Sequence, residues 1–279
     1  MSKHESYEDY PADSTKMAET ALLTAWDGLA AFQSELSLVG GLAIRYLTHP
    51  PESGLQGPVT MDVDFGIQMG ASSGQYSSIK DTLRAHGFKW TENQRFEKQV
   101  EGTTLYIDLL TDDEKSDQGT IMIDDGLQVA VLPGIQRALE LYRKIKVSGD
   151  TMIGAPVNLN VRVAEVGPML VLKLNAFGGP SGRKTGKDAH DILYLAMNYL
   201  DGAQQAIAGF QAEVAAGNRG TGHAIACLRE YFLDPNAQGP ISCAAFRLNN
   251  RHLQPDLADE SLRIRQQCVT LAEALLHGI

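Results

Sequence analysis

Cysteine is scarce in this sequence of 279 residues, which has only three: Cys227, Cys243 and Cys268. They are widely spaced and lie in no CxxC pair or Cys/His cluster, which argues against a disulfide framework and against a zinc site. The sequence also lacks a secretory signal and any apolar run near the ~20 residues that a membrane span needs. These absences predict a soluble protein of the reducing cytoplasm with no membrane association.

Positive charge is also in short supply. The chain has 24 Lys and Arg against 34 Asp and Glu, a formal net charge of −10. This balance excludes a protein that coats nucleic acid non-specifically through a general positive field. The excess of acidic residues is unevenly distributed along the chain. Residues 137–187, here called the basic sector, hold three acids and nine basic residues: Arg137, Arg143, Lys144, Lys146, Arg162, Lys173, Arg183, Lys184 and Lys187. The basic sector leaves room for one phosphate-bearing substrate.

Hydrophobic periodicity divides the chain into a mixed first part and a helical second part, which predicts an α+β fold with a mixed sheet, flanking helices and a helical C-terminal part. We expect two domains, 1–165 and 166–279. The pattern predicts strands at 36–39, 59–67, 96–100, 103–110, 127–132 and 157–164, with a Glu101-Gly102 turn joining the third and fourth. It predicts helices at 15–36, capped by Ser14 or Thr15, and at 40–47, 75–86, 134–144, 167–177, 187–200, 203–215, 222–232 and 259–276.

Two carboxylates, Asp62 and Asp64, lie two residues apart on a predicted strand. Side chains at this spacing point to the same face of a strand, so both carboxylates converge on one spot. Asp108 lies in a second apolar strand, where an acid between Ile107 and Leu109 requires a partner. Three carboxylates on adjacent strands form a site for one or two Mg²⁺, which prefers oxygen ligands and is often shared with substrate phosphates. The alternative is a solvated strand face.

The pair Gly40-Gly41 follows a predicted strand and precedes a predicted helix. The absence of side chains lets backbone N–H groups and the helix N-terminus approach an anionic phosphate. A tight turn without a ligand is the other interpretation of such a pair.

The order of these features resembles the DNA polymerase β-like nucleotidyltransferase superfamily, whose signature is a Gly-Gly/Ser turn, an acid-x-acid strand and a third strand acid. More narrowly, VGGLAIRYL, TMDVDFGI and VLKLNAFGGPSGRKTGKDAHDILYL resemble the AbiEii-type nucleotidyltransferase toxin family over roughly residues 38–200. Two features depart from the pattern: twenty residues separate Gly41 from Asp62, and no basic residue stands just before Thr60.

The resemblance implies a nucleotidyltransferase fold with two Mg²⁺ ions and an NTP as substrate. Asp62, Asp64 and Asp108 would be the metal ligands and catalytic carboxylates, with Asp108 either binding the second ion or deprotonating the acceptor. Gly40 and Gly41 would contact the nucleotide. The downstream Lys, Arg-rich loop and (K/R)D-x-x-D helix of the family match further residues here, with nucleotide-binding or catalytic roles: Lys173, Arg183, Lys187, Asp188 and Asp191.

Lys173 and Asp188 also have interpretations of their own. An unpaired ammonium in the apolar stretch around Lys173 would be costly, unless this Lys reaches the surface. Asp188 at a helix start is consistent with simple capping. The resemblance favours function instead, with Lys173 neutralising nucleotide phosphate and Asp188 orienting that Lys or the acceptor.

Three functions remain open from the sequence. The resemblance implies a toxin that transfers a nucleoside monophosphate to RNA, such as the tRNA 3′ end, and is neutralised by a cognate antitoxin. A transferase acting on a small molecule, such as an aminoglycoside, keeps the chemistry and changes the acceptor. A non-catalytic nucleotide-binding or interaction module would keep the fold alone.

Overall fold

The computed structural model describes residues 4–50, 56–68, 75–91, 95–100, 102–123 and 127–279, so Glu101 of the predicted turn lies outside the described residues. The chain forms two compact units. The sheet unit comprises residues 12–46 and 59–165, and the helical unit comprises residues 1–11, 47–58 and 166–279. The fold is α+β, with a mixed sheet and helices followed by a helical C-terminal region. The domain division 1–165 and 166–279 stays a prediction.

The sheet unit contains nine strands in its described part, joined in one mixed sheet of order β3-β4-β5-β2-β1-β9-β8, with β7 paired to β5 and β6. Its strands are β1 (Leu36–Val39), β2 (Asp62–Ile67), β3 (Lys89–Trp90), β4 (Phe96–Val100), β5 (Thr103–Thr111), β6 (Thr120–Ile123), β7 (Leu127–Val131), β8 (Tyr142–Asp150) and β9 (Pro156–Ala164). Its helices are α1 (Ser14–Gly28), α2 (Gly40–Leu47), α3 (Gln75–Ala85) and α4 (Ile135–Glu140), with a 3₁₀ turn at Ala30–Phe32.

The centre of the sheet has one apolar face, against which α1 packs. Val63 and Phe65 of β2 are fully buried, and the Trp26 ring of α1 lies 5.8 Å from the Phe65 ring. Strand β2 runs parallel to β5, with Val63 level with Ile107, so apolar side chains of both strands cover the same face. Because side chains alternate along a strand, the residues between them project from the opposite face.

Three of the predicted helix boundaries are wrong. Helix α1 ends at Gly28 rather than near residue 36, and Asp13, not Ser14 or Thr15, is its N-cap residue, with no side-chain cap bond. The helix predicted at 134–144 is confined to α4, because β8 begins at Tyr142 and pairs with β9 over nine positions. Alternation in RKIKV, with Ile145 and Val147 on one face, is the strand signal that the helical prediction overlooked.

The helical unit holds six α-helices among its described residues: α5 (Val166–Gly178), α6 (Gly186–Met197), α7 (Ala203–Ala215), α8 (Thr221–Tyr231), α9 (Gln238–Arg247) and α10 (Ala258–Leu276). Five match predicted helices, and α9 was missed. All three cysteines are buried in this unit as free thiols. Helix α5 is apolar on nearly every side, which is typical of a central helix enclosed by its neighbours. In the described part of the chain, no helix is long and apolar enough to cross a membrane.

Candidate functional site

The polar face of β2 brings the three predicted carboxylates of the sheet unit together. Asp62 and Asp64 alternate with Val63 and Phe65, so they project from the face opposite the core. In the parallel pairing of β2 with β5, Asp64 is level with Asp108, and neighbouring residues at one level of a sheet share a face. The three carboxylates, here called the carboxylate cluster, therefore lie on two adjacent strands at the sheet centre.

Arg95 completes this cluster and was missed by the sequence analysis. Its Nε donates to Asp108 Oδ1 at 3.0 Å and its Nη2 donates to Asp108 Oδ2 at 2.7 Å, a bidentate pair. The same Nη2 lies 3.4 Å from Asp62 Oδ1. The guanidinium also stacks over the Tyr106 ring at 3.8 Å. Planar guanidinium groups suit both a forked carboxylate bond and an aromatic face, so this position favours Arg over Lys.

The signal for Arg95 was present in the predicted hairpin. The observed register pairs Val100 with Thr103 and Phe96 with Ile107. Continuing that register by one residue places Arg95 opposite Asp108. The turn at residues 101–102 was predicted, so counting back along both strands from it would have identified the partner that Asp108 required.

The charges of the cluster shift one another's pKa values. Burial, the adjacent Asp64 and Asp62 raise the pKa of Asp108 to about 7, although Arg95 opposes the shift. Burial lowers the pKa of Arg95, but attraction to the three carboxylates outweighs it and the net pKa is raised. The cluster is therefore rich in negative charge, which an added cation would stabilise.

Gly40 lies directly against the cluster. Val39 of β1 is level with Asp64, and the next residue, Gly40, opens α2 with φ +74°. A Cβ at Gly40 would overlap the Asp64 carboxylate, and a Cβ at Gly41 would lie 2.7 Å from the Thr60 Cβ. The Gly-Gly pair is thus required by the close approach of the backbone to the strand that carries Asp62 and Asp64.

We expect Gly40→Ala to displace the Asp64 carboxylate and to impair any cation binding that depends on it. The matched control is Gly102→Ala, because Gly102 has φ +82° but a Cβ added there would meet nothing within 4 Å. Both variants carry the left-handed backbone strain, about 1 kcal/mol, and only Gly40→Ala adds the clash. Chemical denaturation and Mn²⁺ titration of both variants measure this. Equal effects of the two substitutions on Mn²⁺ affinity would contradict the assignment.

A second charged group lies in the helical unit, where Lys173 of α5 meets α6. Lys173 Nζ donates to Asp191 Oδ2 at 2.6 Å, and Lys187 Nζ donates to the same oxygen at 2.7 Å. Lys173 Nζ also lies 3.8 Å from Asp188 Oδ1. All four side chains are buried. The costly unpaired ammonium is thereby avoided, and Lys173 does not reach the surface as a snorkelling side chain would.

Asp188 is held at the start of α6. Thr185 is the N-cap residue: its Oγ1 accepts from the Asp188 backbone N–H at 3.2 Å and donates to Asp188 Oδ2 at 2.7 Å. Arg183 Nη2 lies 3.3 Å from Asp188 Oδ2, with about half of the Arg183 side chain exposed. Thr185 therefore performs the capping that the sequence suggested for Asp188. The nucleotide-related roles of Lys173, Arg183, Lys187 and Asp188 stay predictions.

His190 of α6 should make the helical unit sensitive to acid. Burial lowers its pKa to about 4, with Arg247 and Lys187 adding to the shift and Asp191 opposing it. The folded chain then keeps this His neutral while an unfolded chain protonates it near its usual pKa of about 6.5. The free energy of unfolding therefore has its full value above about pH 7. It falls as the pH drops from 6.5 towards 4, by up to about 3 kcal/mol.

The variant His190→Phe isolates this contribution, since a phenyl ring preserves the aromatic contacts to Tyr194 and Phe246. Urea denaturation at pH 7.5 and pH 5 gives the loss for each protein. We expect the wild type to lose about 2 kcal/mol more than the variant between these pH values. Identical losses would show that His190 is not the group responsible.

Six of the nine residues of the basic sector are paired within their own unit. Arg137 and Arg143 pair with Glu140 and Glu165. Arg162 donates to the carbonyl oxygens of Ser34 and Leu139 and stacks on a tyrosine ring. In the helical unit, three further residues of the basic sector are paired with carboxylates: Lys173, Arg183 and Lys187. Most of the positive charge on which the prediction of a phosphate-binding sector was based is therefore already paired. Lys144 and Lys146 are exposed on β8.

The fit of a divalent cation rests on the carboxylates of the sheet unit. Across the residues that the structure describes, no group of three or more His, Cys, Asp or Glu is disposed as a ready metal site. Within the carboxylate cluster, Asp108 is engaged by Arg95 in a bidentate pair. Mg²⁺ commonly uses one or two carboxylates together with water and substrate phosphates. Asp62 and Asp64, on one strand face, supply such a donor set.

Comparisons with known proteins give limited information. Models of known protein families give no match, and no curated protein matches the sequence. Among solved structures, the chain is similar to the antibiotic-resistance factor ANT(2'')-Ia, known from a solution structure that reveals substrate-regulated conformation dynamics. The identity is 13% and the TM-score 0.39, and the match covers 75% of this chain and 99% of that chain. A likeness at this level establishes neither a family nor an activity for this chain.

Proposed function

We propose that this protein is a Mg²⁺-dependent nucleotidyltransferase that transfers a nucleoside monophosphate from an NTP to an acceptor. One observation carries the proposal: Asp62 and Asp64 share one face of β2, Asp64 is level with Asp108 of β5, and Gly40 lies against the Asp64 carboxylate. Carboxylates that can hold Mg²⁺, next to a glycine turn whose backbone can approach phosphates, suit phosphoryl-group chemistry. The resemblance of the sequence to polymerase β-like nucleotidyltransferases points the same way.

Each residue of the sheet-unit site has a distinct task in this proposal. Asp62 and Asp64 would hold Mg²⁺, which would neutralise triphosphate charge and favour in-line attack at the α-phosphate. Asp108, which is paired with Arg95, adds negative charge beside Asp62 and Asp64. The glycine turn lets the backbone N–H groups at the start of α2 approach phosphate oxygens. Lys173, Arg183, Lys187 and Asp188 remain candidates for nucleotide or acceptor contacts through the resemblance alone.

RNA, with the tRNA 3′ end as the expected position, is the acceptor that the toxin resemblance implies, and a cognate antitoxin is then the protein partner. A small-molecule acceptor is the second candidate, and a specific observation favours it. Most of the basic sector is paired with carboxylates or backbone carbonyls, which leaves few charges for a polynucleotide. The net charge of −10 suits a cationic small molecule such as an aminoglycoside.

Labelled nucleotides test the reaction and the acceptor together. The purified protein is incubated with Mg²⁺ and each α-labelled NTP in turn, with total cellular RNA in one series and an aminoglycoside panel in the other. Label on RNA, dependent on Mg²⁺ and lost in Asp62→Ala, supports RNA transfer. Label on the small molecules alone supports the second candidate. If no NTP labels any acceptor with Mg²⁺ or Mn²⁺, the proposed transfer is wrong.

A further inference from the structure

Arg95 occupies a position among the carboxylates that a cation would otherwise take. Its guanidinium contacts both oxygens of Asp108 at 3.0 and 2.7 Å and Asp62 Oδ1 at 3.4 Å. The Tyr106 ring supports the guanidinium from one side at 3.8 Å, and only 15% of the Arg95 side chain is exposed. A side chain held by two carboxylates and an aromatic ring is a fixed part of the cluster rather than a mobile surface group.

The charge balance of the cluster limits how many ions it can accept. Above the raised pKa of Asp108 all three carboxylates are ionised and carry three negative charges, of which Arg95 offsets one. The remaining two equal the charge of a single divalent ion. A second divalent ion would make the cluster net positive and would compete with the guanidinium for the Asp108 oxygens, so its binding is disfavoured.

We propose that Arg95 replaces one of the two divalent ions implied by the resemblance, so that the cluster binds one divalent ion, through Asp62 and Asp64. Arg95 is then a positioning residue: it fixes Asp108 and supplies the second positive charge permanently. The inference rests on the proposed function, because it concerns the same carboxylates. It departs from what the resemblance implies in the number of ions and in the role of Asp108, which binds the guanidinium in place of a second metal.

Counting bound Mn²⁺ tests the inference without any measurement of activity. The metal alone is titrated into the wild type, Arg95→Gln and the control Arg84→Gln, and bound Mn²⁺ is counted by electron paramagnetic resonance. Arg84 lies on α3, exposed, near Asp81. We expect one ion per chain in the wild type and control and two in Arg95→Gln. Circular dichroism checks that each variant is folded.

Anomalous diffraction from wild-type crystals soaked in MnCl₂ gives a second measurement that needs no variant. We expect one peak, bound by Asp62 and Asp64, with Arg95 still paired to Asp108. Two ions in the wild type, or no increase in folded Arg95→Gln, would overturn the inference and leave the proposed function standing. Mn²⁺ binding in Arg95→Gln but not in the wild type would also overturn it. Absence of binding in every protein would also overturn the inference, whereas the proposed function is refuted separately, by a failure of label transfer from every NTP.

Discussion

Asp64→Asn is expected to lower nucleotidyl transfer by at least about 10²-fold while leaving the metal-free protein as stable as the wild type or more so. The carboxylate is lost as a metal ligand, which accounts for the activity. The repulsion that raises the pKa of Asp108 is also lost, and it outweighs the attraction of Asp64 for Arg95 that is lost with it, so the folded state is relieved by about 1 kcal/mol or less. A residue that serves only the fold would not lower activity without lowering stability.

Two measurements check this prediction: label transfer from an α-labelled NTP and urea denaturation in the presence of a chelator. Asp81→Asn is the matched control, because Asp81 is largely exposed on α3, outside the cluster. It should change neither quantity. If Asp64→Asn and Asp62→Ala retain full activity in cells, the alternative of a non-catalytic nucleotide-binding module is correct and the transferase is not.

Asp191→Asn is expected to destabilise the helical unit by about 3–5 kcal/mol. One oxygen of Asp191 accepts from both Lys173 and Lys187, so the substitution leaves two buried ammonium groups without this carboxylate. Lys187→Met should cost less, because Lys173 still pairs with Asp191 and is itself within 3.8 Å of Asp188.

Chemical denaturation at pH 7.5 measures both effects, with Glu273→Gln at an exposed position of α10 as the control. The order Asp191→Asn, Lys187→Met, Glu273→Gln, from most to least destabilising, supports the burial of this charged group. A loss below about 1 kcal/mol for Asp191→Asn would show that solvent or another carboxylate compensates the two ammonium groups when Asp191 is removed.

Much of the fold follows from local patterns. The Gly-Gly turn between β1 and α2 and the hairpin of β4 and β5 were predicted correctly, because alternation and turn residues act over a few positions. The first three residues of strand β8 were predicted as the end of the helix at 134–144, and the rest of the strand was not predicted. Its pairing with β9 decides the outcome, and such pairing is a non-local interaction that a short window does not contain.

The candidate site was predicted in part. The convergence of Asp62 and Asp64 on one face follows from the two-residue period of a strand. That Asp108 needs a charged or hydrogen-bonding partner follows from its apolar neighbours. The partner itself, Arg95, was overlooked although the hairpin register contains it. For Lys173, the sequence left open whether the ammonium is compensated within the protein or reaches the surface, and it did not identify Asp191 as the partner.

The sequence by itself determined the fold class, the strand that presents two carboxylates on one face, and the position of the glycine turn. These depend on the period of a strand and on the conformational freedom of glycine, which are local properties of the chain. Only the tertiary structure decided that Arg95 pairs with Asp108 and offsets one charge of the cluster, that Gly40 lies against Asp64, and that most of the basic sector is already paired. Those outcomes depend on which charges meet when distant segments pack, because ion pairs form between neighbours in space, whatever their separation along the chain.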